Sequence, residues 1–460
     1  MEVSSIAAFF SSFTPFLTPA TAENFSVLLR GAILATGRRT ITGCLLAAWP
    51  WMSKHWTVYE NVLRRARYGM LVLSRILFYL IISFIPESAV ILLAIDETLT
   101  RRYGPMTVGI GIHRDAVRSS RTNLITTPGH KWVVLSVVLR LPFMQRPLAL
   151  PILSVLYTTR KQPKRNRARR MYRKHRTVGE LALILLRLVR RWAPKRRFLL
   201  VADGAYGTHE FAQRLSPTSN VLGLSNFVLV SRFRMDGATY SNPPRYSGFG
   251  RPSVKGKRLD SPAEVAAKKK TRWETIRVNW YGGKRKELKI CSRRGLWYKC
   301  GQGAKPIVWV LVRDPEGKRD DEVFFTTDTR LSPKKIVELY VLRWPLETTF
   351  QEAREHLGLE TTRNRCALSV SRSVPMLLSL YSIIALWFAK NIKRPEKFIR
   401  STPWYEKGNV TFSDMLFTIR QAIQQERLFL PSARSTGEFL VNPYAWIPKN
   451  TRIRKKKRVA

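Results

Sequence analysis

Acidic side chains are scarce in this sequence. Its 460 residues include 31 Asp and Glu against 80 Lys and Arg, a formal net charge of +49. Such a surplus calls for a polyanionic partner. Nucleic acid leads, because phosphates neutralised by Lys and Arg release counterions and drive binding. A ribosome-associated or membrane-surface protein would share the charge. Cysteine is also rare: Cys44, Cys291, Cys300 and Cys366 form no CxxC pair and no Cys/His ligand array. That argues for a reducing cytoplasm and against a zinc site. There is no GxGxxG fingerprint, and "VGIGIH" alone makes no nucleotide site. No internal repeat at solenoid periods stands out. The start, "MEVSSIAAFFSSFTPFL", carries Glu2 where a signal peptide has a basic segment, and is not expected to be one. Two apolar runs, 70–85 and 375–388, fall short of the roughly 20 residues of a membrane span and are expected to be core helices.

Hydrophobic residues make up 45% of the chain and aromatics 11%, enough for two or three folded domains. Residues 1–86 read as a helical N-terminal DNA-binding region. Within it, "RGAILATGRRTITGCLLAAW" suggests two helices around a turn at Gly37, with Arg38 and Arg39 placed for phosphate contact. A solvated helix end would look the same.

The pattern then turns to strands. "SAVILLAID" is a continuous apolar run of the kind buried on both sheet faces, and it ends at Asp96. Strands are also expected at 106–112 and 131–139. A very basic stretch, 160–176, precedes a helix whose start, Thr177 and Glu180, has capping-box spacing. "RFLLVADGAYG" is a second buried strand that delivers Asp203, followed by a short helix near 208–215 and a strand at 226–233. This order, β-β-β-α-β-α-β, is that of an RNase H-like core, so the fold class expected is α/β. Residues 87–233 form its first part. Residues 234–330 differ: between 245 and 299 there are 17 Lys and Arg against 4 acids, in short alternating strands. They read as a β-rich basic insertion. The core resumes with helices over 331–395, Ser332 and Pro333 suiting an N-cap and first helical position. Residues 396–460 form a C-terminal region ending in a basic tail.

A carboxylate at the end of a buried strand is costly unless paired or metal-bound. Asp96 and Asp203 are two such, and Glu347 supplies a third from a helix. Hard oxygen ligands of this kind suit Mg²⁺ (or Mn²⁺), and two ions could serve an in-line phosphoryl displacement. At 3.6 residues per turn Tyr340, Arg343, Glu347 and Arg354 fall near one helix face, provided that Pro345 only kinks the helix. An ordinary ion pair would give the same spacing; the functional reading is a metal ligand flanked by cations that grip phosphates. Glu97 is a candidate to orient Asp96 or its bound water. Glu352 and Glu355 are expected to pair with Arg and Lys on the helix exterior. Trp273, Trp280, Trp297 and Trp309 read as core packing, and His113 and His130 as structural or phosphate-contacting.

These segments resemble the DDE transposases of bacterial insertion sequences. Their signature is Tyr, two residues, Arg, three residues, Glu, six residues, Lys; here it reads Tyr340, Arg343, Glu347 and Arg354, with Arg at the final place. "AIDETLTRRYG" is similar to the segment carrying the first catalytic Asp, here Asp96 with Glu97 and Thr98, and "LLVADGAYG" to the second. "SRFRMDGATYSNPP" and "GRPSVKGKR" are similar to the insertion-domain segments. The resemblance spans most of residues 30–390. It implies an endonuclease and strand-transfer enzyme acting on DNA, binding terminal inverted repeats, cleaving them with divalent metal ions and joining 3′-hydroxyls to target DNA. It also implies a homodimer on paired ends, in the cytoplasm at the nucleoid, with an insertion-domain aromatic able to stack on a flipped base. Two other readings share the residues: a resolvase- or repair-type metal nuclease, and a non-catalytic DNA-binding derivative.

Overall fold

The computed structural model describes residues 6–104, 106–120, 122–160, 175–215, 224, 226–246, 248, 250–281 and 285–428. Most of the basic stretch 160–176 and the whole C-terminal basic tail lie outside the described residues.

The first part is helical: α1 (Ile6–Phe10), α2 (Pro19–Leu34), α3 (Ile41–Ala47), α4 (Trp56–Arg64) and α5 (Met70–Ile82). Thr18 and Thr40 cap α2 and α3 through their side-chain oxygens. These two helices approach closely at Gly31. A Cβ there would lie 2.1 Å from the Cys44 carbonyl oxygen.

A mixed sheet follows: β1 (Ile91–Arg101), β2 (Gly111–Arg114), β3 (Thr126–Leu139), β4 (Leu148–Tyr157), then α6 (Val178–Trp192), β5 (Phe198–Ala202), α7 (His209–Arg214) and β6 (Phe227–Arg232). β1 pairs antiparallel with β3 and parallel with β5, β5 pairs parallel with β6, and β4 lies on the far side of β3. The capping box at Thr177 and Glu180 forms as its spacing predicts.

Three expectations change here. The strand expected at 106–112 begins only at Gly111, because Gly109 adopts φ 79° in a turn. β4 has no counterpart among the expected strands. It contains Pro151, which has no N–H for a ladder, and the pairing shifts register there, Leu135 with Leu153 but Ser136 with Pro151. β1 does not stop at Asp96, since its antiparallel partner β3 carries it on to Arg101.

Residues 234–330 extend the same sheet. They contain β7 (Thr239–Tyr240), β8 (Arg258–Leu259), α8 (Pro262–Ala267), β9 (Glu274–Asn279), the long hairpin β10 (Arg285–Lys299) and β11 (Gly303–Arg313), and β12 (Glu322–Thr326). β12 pairs with both β11 and β6, so among the described residues one sheet of 12 strands runs through the core and the basic segment. Trp309 and Trp280 are buried in it, and Trp297 meets His209 and Phe233 edge-on at 5.2 and 5.1 Å. Trp273 lies under Arg313, at 4.3 Å. All four pack as expected.

The last described part is helical: α9 (Pro333–Val341), α10 (Trp344–Leu357), α11 (Ala367–Asn391) and α12 (Phe412–Leu428). α11 has 25 residues and an 18-residue stretch of mean hydropathy 1.5, long and apolar enough to cross a membrane by length and composition, yet 72% of that stretch is buried inside the protein. Alternation along β1 and β5 sends Leu93, Ile95 and Leu200 into one core with α5, α6 and α11. It sends Ala94 and Val201 into another with Ile336, Val337, Leu346 and Phe350 of α9 and α10. Asp96 shares the parity of Ala94 and therefore faces α9 and α10.

The Gly31 contact gives a stability prediction. Gly31→Ala should force α2 and α3 apart and cost about 1–3 kcal/mol in thermal unfolding. Gly37→Ala, where a Cβ meets nothing within 4 Å, should change stability by less than about 0.5 kcal/mol. Equal melting temperatures for the two variants would contradict this.

Candidate active site

The parallel pairing of β1 with β5 ends at Ile95 opposite Ala202. The next residues are Asp96 and Asp203, so the register sets the two carboxylates on neighbouring strands, roughly 4.8 Å apart in backbone spacing. Asp203 is fixed further by Ser231, whose hydroxyl donates to its carbonyl oxygen at 2.9 Å.

Glu347 reaches them from α10, and not from one kinked helix. α9 stops at Val341 and α10 starts at Trp344, with Pro345 in its first turn. A proline there sacrifices no hydrogen bond, since the first N–H groups of a helix lack partners anyway. Arg343 stands between the helices; its N–H donates to Tyr340 O at 3.1 Å and its carbonyl accepts from Leu346 N–H at 3.0 Å. The break swings Arg343 into the acidic group. Its Nη1 lies 2.6 Å from Asp96 Oδ2 and its Nη2 2.6 Å from Glu347 Oε1. The Tyr340 hydroxyl donates to Asp203 Oδ1 at 3.5 Å, its ring stacked on Phe324 at 4.0 Å.

Burial pushes the Asp96 carboxyl up to about 7, against the pull of the Arg343 guanidinium and of the Glu97 N–H, which donates to Asp96 Oδ1 at 2.8 Å. Burial works against the charge on Arg343 as well, but Asp96 and Glu347 outweigh it and hold its pKa above the ordinary value. The guanidinium therefore stays charged. Removing one partner of a buried ion pair of this kind typically costs about 3–5 kcal/mol.

The remaining sequence candidates separate. Glu97 touches Asp96 only through its backbone; its carboxylate lies on the opposite strand face, with Lys131 Nζ and, at 3.3 Å, the Tyr206 hydroxyl. Arg354 is held beside β1, donating to Thr98 Oγ1 at 2.6 Å and pairing with Glu360 at 3.3 Å. Arg38 is exposed. Arg39 is not placed for a phosphate: it is 5% exposed, and its guanidinium donates to the carbonyls of Ala32, Gly37 and His356. It ties the α2–α3 turn to the end of α10, where Gly358 closes the helix at φ 61°. A Cβ on Gly358 would meet the Thr361 hydroxyl at 2.6 Å. His113 and His130 are buried, and burial holds both imidazoles down to about 4, hence neutral near pH 7.

Among the described residues, Glu352 and Glu355 find no Arg or Lys partner. Glu355 accepts from Gln351 Nε2 at 3.0 Å on the exposed face. Glu352 is half-buried on the side of α10 away from Glu347, where the Tyr381 hydroxyl donates to its Oε2 at 2.7 Å. It lines a cleft of about 530 Å³ with Trp280, Tyr281, Trp344 and Lys407. Trp344 is 44% exposed and 5.2 Å from Tyr281.

A family model for DDE superfamily endonucleases matches residues 9–287, more than half of the chain. The chain belongs to that family. The match includes Asp96 and Asp203 and ends before Glu347. No curated protein matches the chain. DDE-type endonucleases act on DNA and generally use divalent metal ions, and the large mixed sheet is consistent with such a nuclease domain. Among the described residues, no three His, Cys, Asp or Glu side chains are gathered at metal-binding spacing. The reason is visible: a guanidinium stands between two of the three carboxylates. The donor set is nevertheless all hard oxygen, with Asp96 and Glu347 aimed at one cation and Asp203 on the adjoining strand. That suits a Mg²⁺-type ion once Arg343 gives way.

Glu352 yields a pH prediction. Burial, eased by the Tyr381 bond, pushes its carboxyl up to about 7 from 4.5. The folded state thus holds this proton more tightly than the unfolded chain, and the contribution to stability, complete below about pH 4.5, is lost as pH rises through about 7. Glu352→Gln should remove that loss. In urea unfolding, the variant should gain on the wild type between about pH 5 and about pH 8; a constant difference would refute the assignment.

Proposed function

We propose that this chain is a DNA transposase in which Asp96, Asp203 and Glu347 hold two divalent ions, Mg²⁺ or Mn²⁺. It would bind the terminal inverted repeats of an insertion sequence, cleave the ends and join the 3′-hydroxyls to target DNA. The observation that carries this reading is the convergence of three carboxylates, from two adjacent strands and one helix, around a single cationic group. The strand order β4-β3-β1-β5-β6, antiparallel only on the β3 side of β1, supports an RNase H-like core. The charge of +49 supports a DNA partner.

The ions, when bound, supply an activated water or 3′-hydroxyl and neutralise the leaving oxygen. The chain's own residues position and balance charge. Asp96 and Asp203 are fixed by strand register, and Glu347 by the first turn of α10. Tyr340 steadies Asp203 by its hydroxyl. Arg343 and Arg354 lie on the same side of β1 as Asp96 and bring positive charge toward the phosphates of a bound strand. A dimer acting on paired ends at the nucleoid follows from this reading.

The family match is to an endonuclease, and a nuclease that cuts without joining would use the same carboxylates. Products on DNA bearing the gene's own flanking ends separate the two, since only a transposase joins ends to a target. Glu347→Gln should lower Mg²⁺-dependent cleavage of that DNA more than about 100-fold while leaving gel-shift affinity unchanged. Cleavage at the wild-type rate would overturn the assignment.

A further inference from the structure

Arg343 occupies an unusual place for a residue meant to meet solvent-borne phosphate. It is 9% exposed, its two Nη atoms each lie 2.6 Å from a carboxylate oxygen, and its buried Nε has no hydrogen-bond partner among the described residues. The side chain springs from the two-residue break between α9 and α10, its Cζ 5.9 Å from the Tyr340 ring, and both of its terminal nitrogens are engaged by carboxylates.

We propose that Arg343 is an exchangeable counter-cation of the active site. Resting on the three-carboxylate reading above, the proposal adds how that site is kept before it is loaded. In the metal-free chain the guanidinium holds Asp96 and Glu347 one cation apart. This prevents two carboxylates, one of them well buried, from repelling each other and splaying. The oxygens it uses, Asp96 Oδ2 and Glu347 Oε1, are those a divalent ion needs, so loading and Arg343 release are one equilibrium. Once released, the fork is free for the two oxygens of a DNA phosphate, its bidentate geometry unchanged. Linkage then makes the effect reciprocal: whatever draws Arg343 off the carboxylates raises metal affinity, and metal raises affinity for phosphate by the same factor. The free protein is thereby restrained from loading ions in the absence of DNA.

The test is metal binding, not activity. Free Mn²⁺ is titrated by electron paramagnetic resonance against the full-length protein without DNA, for wild type, Arg343→Gln, Arg343→Lys and Asp96→Asn. Removing the competitor should tighten Mn²⁺ binding on the order of tenfold in Arg343→Gln, within the 5- to 150-fold range common for coupled sites. Arg343→Lys keeps the charge but cannot bridge both oxygens, and should fall between the two; it decides the matter if the Gln variant unfolds. A purely structural arginine would give the opposite sign, because a disordered site binds metal more weakly. Mn²⁺ affinity unchanged or reduced in both Arg343 variants overturns the proposal. Equal binding by wild type and Asp96→Asn overturns the three-carboxylate reading itself, and the proposal with it.

Discussion

A carboxylate in the middle of a buried strand is the constraint around which this molecule is arranged. Asp96 is the sixth residue of β1, preceded by Ala94 and Ile95 in the cores on either face, and burial pushes its carboxyl up to about 7 even against the pull of the Arg343 guanidinium. A close cation favours the ionised form of such a group. The cation supplied is Arg343, and delivering it requires the break between α9 and α10. That break also turns Glu347 inward. The same parity that sends Ala94 and Asp96 toward α9 and α10 sends Glu97 to the opposite face with Lys131.

Positive charge outside the site has a separate duty. Much of it lies on the β7–β12 extension of the sheet and in segments outside the described residues, and its role is long-range attraction of a polyanion. Inside, the balance reverses, with three acids around one arginine. The two regimes are physically linked because one continuous sheet carries both: β6 holds Asp203 through Ser231 on one side and pairs with β12 on the other. DNA lying along the basic half would thus be placed against the acidic strand ends without a hinge between them.

Much of this was legible in the sequence. Uninterrupted apolar runs ending in Asp96 and Asp203 located the two strands, because only strands buried on both faces lose their alternation. Ser332 with Pro333 and Thr177 with Glu180 marked helix starts by local hydrogen-bonding chemistry, which needs no tertiary partner. What escaped depends on distant residues. Pro345 reads as a kink until Arg343 is seen paired to Asp96, 247 residues away. Arg39 reads as a phosphate contact until its carbonyl partner His356 comes beside it from 317 residues on. Glu352 reads as helix surface until Tyr381 of α11 covers it. β4 was hidden by Pro151, which is harmless at a register shift on the outer strand yet looks like a strand breaker.

On the proposed reading, Asp96, Asp203 and Glu347 together frame the divalent-ion site at which the chemistry takes place. The most direct measurement is anomalous X-ray scattering from Mn²⁺ in crystals of the full chain bound to DNA. Anomalous peaks are expected in direct coordination with all three carboxylates, with the Arg343 guanidinium withdrawn from Asp96 and Glu347. Manganese bound at other carboxylates, or none beside these three in a complex that still cuts its DNA, would contradict it.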